Sequence, residues 1–179
     1  MAAGRLTRAL GPRASAANWK LAAILGILAL AAAPDAAANP TAESLLREIA
    51  ARGARSVLMH LASDWGRFDR VCQRISTGEP KWLEVARRLR PASDAASSLS
   101  LDYAVARAIP KHPERVLALI DNGFSLERVC TSPFIEPETG VAQNYQRRAV
   151  AALARVRDPK LTGLASSCSA RIAHPLPPH

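Results

Sequence analysis

Glu136 and Glu138 stand two residues apart in the stretch RVCTSPFIEPETG, residues 128–140, with two prolines, a cysteine and an aromatic around them. Paired carboxylates do general acid–base work when unlike environments keep one protonated and the other ionised. Position argues for a different use. Pro137 between them suits the first turn of a helix, where its missing N–H costs nothing, and acids there complement the helix dipole by about 0.3–1 kcal/mol each. The segment therefore reads as a joint that starts a long helix, and no residue is assigned a catalytic role.

Other chemistry is thinly represented. His60, His112, His174 and His179 have no ligand spacing with one another or with the cysteines, so no metal site is expected. A nucleophile elbow, an S-x-x-K pair and a glycine-rich phosphate loop are all missing, and no cofactor is implied. Arg147, Arg148, Arg155 and Arg157 give the expected long helix a basic side that could hold anionic cell-envelope material. Aromatics that would stack on bases are missing from that side, which excludes a nucleic-acid role. Trp65 and Trp82 fall at two helix starts, as core anchors or as the rims of a groove for a partner.

Three cysteines leave one unpaired within the chain. Loop entropy gives about 4 kcal/mol for Cys130–Cys168 and only a few tenths more for Cys72–Cys130, so context must choose. Cys72 shares a helix face with Phe68 and Ile75, where a thiol packs as a small hydrophobe. Cys130 and Cys168 sit at helix ends beside proline- or serine-rich turns, where backbone can adjust to disulfide geometry. The expectation is a Cys130–Cys168 bridge with Cys72 free.

Apolar residues recur at three- and four-residue steps after Pro40 without strand-like alternation, which predicts an all-α fold. The expected domain is compact and irregular, with about six to eight helices. One helix covers about Thr41 to Leu61, weakened at Gly53. Ser63 or Asp64 caps the next, Pro80 leads a third, and Asp94 caps an almost wholly apolar fourth that belongs at the centre. A helix led by Pro113 closes at Asn122 or Gly123, and Ser125 caps a short piece ending at Cys130. The long helix spans about Pro137 to Arg157, and Pro159 leads the last. Intervals of 33 and 46 residues between Pro80, Pro113 and Pro159 leave a short HEAT-like stack as the alternative.

The first 38 residues set the compartment. Arg5, Arg8, Arg13 and Lys20 precede the apolar run LAAILGILALAAA, which is too short for a comfortable membrane span and reads as a cleavable secretory signal. Small residues at Ala36 and Ala38 place the cut before Asn39, and no cysteine there supports a lipid anchor. The expected organisation is a signal at 1–38, a single helical domain at 39–171 and a flexible proline-rich tail at 172–179. No stable membrane span should remain, and the product should be periplasmic or secreted. The mature 141 residues suffice for one core and carry 20 basic against 14 acidic residues, a net charge of +6. Only four of the basic residues in the whole chain are lysine, and alanine is abundant, as a GC-rich genome dictates.

The run GEPKWLEVARRLRPASDAASSLSLDYAVARAIPKHPERVLAL, followed by VCTSPFIEPE, resembles small exported α-helical proteins of proteobacteria that have no assigned activity. In size, export and disulfide the chain is also similar to periplasmic immunity proteins that neutralise secreted toxins. The resemblance implies architecture and brings no catalytic residues. The expected function is non-enzymatic binding of another protein of the cell envelope, with binding of anionic envelope material through the arginines as the alternative.

Overall fold

The computed structural model describes residues 39–174, which form nine α-helices and one 3-10 turn, with no strand among them. The expected signal at 1–38 and the tail residues 175–179 lie outside the described residues. In order the helices are α1 Ala42–Arg52, α2 Ala54–Ala62, α3 Trp65–Ile75, α4 Pro80–Leu89, α5 Ala95–Ala108, α6 Pro113–Leu117, α7 Leu126–Val129, α8 Val141–Leu153 and α9 Thr162–Ala173.

Local chemistry starts most of them. Thr41 Oγ1 accepts from the Ser44 N–H at 3.1 Å while Ser44 Oγ accepts from the Thr41 N–H at 3.0 Å, a reciprocal cap at the head of α1. Asp64 accepts from the Arg67 N–H to begin α3, and Asp94 pairs reciprocally with Ser97 to begin α5. Pro80 occupies the first turn of α4, as expected.

Helix α5 is the centre, packed against α3, α4, α6 and α7, with Leu101, Ala104, Val105, Ala106, Ala108 and Ile109 all fully buried. The one acid in this helix is Asp102, also fully buried. Arg90 answers it from the 3-10 turn Arg90–Ala92, donating from Nε at 2.8 Å and Nη2 at 3.1 Å. The guanidinium also lies 5.8 Å from the Phe124 ring centroid. A buried carboxylate is tolerated there because two charge-assisted bonds replace its water.

The bridge joins Cys130, at the end of α7, to Cys168 in the middle of α9. Cys72 is free and buried beside Phe68 and Ile75. The expected pairing and the free Cys72 both hold, but Cys168 stands inside α9 and not at a helix end as expected.

Several boundaries differ from expectation, each for a backbone reason. The expected helix over Thr41–Leu61 is two helices, since Gly53 takes φ 82°, ψ 150°, a region essentially closed to other residues. The long helix starts at Val141 instead of Pro137 and ends at Leu153 instead of Arg157. Glu136 has φ 44°, and the Val141 N–H bonds the Glu138 carbonyl across a turn in which Gly140 sits at φ 88°, ψ −17°, the third-position geometry of a type II turn. Only after that turn can helical geometry begin. At the next turn Asp121, not Asn122, joins Gly123 at positive φ. Pro159 leads a hydrogen-bonded turn from Asp158 to Thr162, and α9 proper begins after it. That helix runs to Ala173 and buries Ile172, so the expected domain limit at residue 171 falls inside it.

Candidate functional site

The start of α1, the last two turns of α3 and the start of α4 meet around an open cleft of about 760 Å³. Packing puts them there. Helices α1 and α4 lie against each other, the short connection after Ile75 returns the chain from α3 into α4, and Lys81 in the first turn of α4 bonds Glu43 in the first turn of α1. The Lys81 ammonium holds the Glu43 carboxyl below the usual range for a glutamate.

The floor is apolar and the rim polar. Val71 is 1% exposed and Trp82 3%, so both contribute only an edge to the cleft and otherwise belong to the core. The Arg74 guanidinium lies over the Trp82 ring, 5.6 Å from its centroid, a cation–π arrangement. Arg70 stands one helical turn earlier on the same side of α3. Neither arginine has a carboxylate within ion-pair distance, as is true of most arginines among the described residues; Arg52, Arg87, Arg88 and Arg90 are the ones that do. Glu79, at the head of α4, is the second acid on the rim.

The two tryptophans do not share this cleft. Trp65 begins α3, nine residues before Arg74 and so roughly 14 Å away along the helix. It is 54% exposed and packs edge-on to Phe68 at 5.6 Å. Trp82 is the core anchor of the pair, and Trp65 does not line this cleft.

The arginine face is also broken up. Arg147 and Arg148 are exposed on α8, but the helix ends at Leu153, and Arg155 and Arg157 belong to the segment after it. Arg157 is spent on the Ala154 carbonyl at 3.0 Å.

Glu136 and Glu138 are both exposed in the loop before α8 and do not line this cleft. They are not first-turn acids, because the helix starts later. The joint reading survives in another form. Arg107 of α5 donates to the Pro133 carbonyl at 2.7 Å and lies 5.5 Å from the Phe134 ring centroid. Phe134 in turn packs edge-on to Tyr145, whose hydroxyl donates to the Ala106 carbonyl at 3.0 Å. The loop is thus docked on α5 and α8 at one end and tied to α9 through Cys130 at the other.

Among the described residues no cluster of three His, Cys, Asp or Glu is placed to hold a metal, and no helix is long and apolar enough to cross a membrane. His60 lies on the surface, its Nε2 at 3.0 Å from Arg67. Sequence reasoning singled out Trp82 but missed Arg70 and Arg74. Their only early signal was two arginines four residues apart on α3, on the side away from Phe68, Val71 and Ile75. Compared with known proteins, the chain matches no family model, no curated protein and no solved structure, so the cleft must be judged by its own geometry.

Proposed function

We propose that the protein is an exported, non-enzymatic binding protein that holds a segment of another cell-envelope protein in the cleft between α1, α3 and α4. One observation carries the reading: Arg74, without a carboxylate partner among the described residues, stands over the ring of Trp82 in a cleft that Val71 and Arg70 also line. Charged donors left free beside apolar surface are what a partner's chain can satisfy, and Trp and Arg are the residues most often decisive at protein interfaces. The disulfide fits an oxidising compartment, which supports export.

The test is affinity capture from a periplasmic extract with the mature protein and with an Arg70→Glu/Arg74→Glu variant of unchanged circular dichroism. A protein retained by the first and lost from the second supports the reading. Equal retention by both overturns it.

A second reading, binding of anionic envelope material, is favoured by Arg147 and Arg148, exposed on α8 and without ion-pair partners among the described residues. Affinity for such material would fall steeply between low and high salt and would be lost in an Arg147→Gln/Arg148→Gln variant.

A further inference from the structure

We infer that the cleft takes an extended peptide segment in which an aspartate or glutamate stands next to an apolar side chain; this rests on the protein-binding role proposed above. The chemistry of the lining selects the class. The Arg74 guanidinium lies over the Trp82 ring, 5.6 Å from its centroid, and has no carboxylate within ion-pair distance among the described residues, so its N–H groups are free for the two oxygens of a carboxylate. Arg70, one turn earlier on α3, lines the same cleft, with its guanidinium lying back toward Gly66. The edges of Val71 and Trp82 and the faces of Pro40 and Pro80 offer room for one apolar side chain beside that carboxylate.

A polyanion with charge at every repeat is disfavoured by the same lining. Glu79 and Glu43 stand on the rim, and Glu43 already neutralises Lys81, so the positive charge is confined to the α3 side. A peptide can use the acidic side as well, because its backbone N–H groups are donors for the Glu79 carboxylate. Positive, apolar and negative groups together in one cleft match a polypeptide and mismatch a phosphate or uronate polymer.

The experiment uses the mature protein, residues 39–179, in a selection from a phage-displayed library of random dodecapeptides. Enriched peptides are then resynthesised and titrated against the wild type and against Arg70→Gln and Arg74→Gln variants of unchanged thermal midpoint. The Trp82 indole N–H resonance is followed in each titration. The inference expects an enriched acid next to an apolar residue, movement of the Trp82 resonance, and about tenfold or greater weakening in the Arg74→Gln variant, as loss of a charge-assisted contact implies. Peptides without an acid that still move the Trp82 resonance would overturn the carboxylate assignment and leave the protein-binding role standing. Enriched peptides that leave Trp82 unmoved, or long-chain polyphosphate displacing every selected peptide, would overturn both.

Discussion

Replacing both Cys130 and Cys168 with alanine should loosen α9 before anything else. The bridge closes a loop with a sequence separation of 38 residues, which the chain-entropy relation converts to about 4 kcal/mol at 25 °C. Alanine is the right replacement, because both sulfurs are buried and a serine hydroxyl there would add an unsatisfied polar group at about 1–3 kcal/mol. Apart from Cys168, α9 buries only Ala165 and Ile172. A fully buried isoleucine contributes about 1.5–3 kcal/mol, so the bridge is the largest single tie between this helix and the rest. Circular dichroism should show the thermal midpoint falling by roughly 10–20 °C for a domain of this size. Native-state hydrogen exchange should show α9 amides losing protection while those of α3 and α5 keep theirs. A midpoint drop below about 3 °C, with α9 as protected as before, would refute the reasoning.

The remaining predictions concern the core. Asp102→Ala should cost about 3 kcal/mol or more in urea unfolding by stranding the Arg90 guanidinium, while Arg90→Leu/Asp102→Leu should cost clearly less; equal losses would mean the pair does not act as a unit. Tyr145→Phe removes one buried hydrogen bond to the Ala106 carbonyl and should cost about 1 kcal/mol, read from the same unfolding curves. Burial pushes the Cys72 thiol up to about 12, so the folded state favours the protonated form. Its contribution to stability is complete below the thiol's unfolded value near 9 and is lost as pH rises from there through about 12, a loss that Cys72→Ala should reduce in alkaline unfolding curves. The same burial should leave Cys72 unreactive to a thiol reagent at pH 8 until the protein unfolds.

How much could be read in advance depended on how local each determinant was. Asp64, Pro80 and Asp94 act within one turn of their own position, so the starts of α3, α4 and α5 were legible. Pro137 failed as a helix start because the geometry is set by Glu136 and Gly140, and the loop before it is held by Arg107, 26 residues earlier than the Pro133 carbonyl it binds. Asp102 was visible as a lone acid in an apolar helix, but its partner lies on another element. The cleft was the least legible feature. Its residues come from 39–43, 70–74 and 79–82, and only the packing of α1 and α3 against α4 brings them together. Trp65 and Trp82 looked equivalent as helix-start tryptophans, and burial alone separates them.

The measurement closest to the central claim is site-specific photo-crosslinking in the periplasm of the producing cell, with benzoylphenylalanine placed at Gln73 on the cleft rim or at Arg148 on α8. Both positions are exposed, so neither replacement disturbs the core. One discrete protein adduct is expected from position 73, lost when Arg70 and Arg74 are changed to glutamate, and none from position 148. An adduct from position 148 with none from position 73 would contradict the central claim.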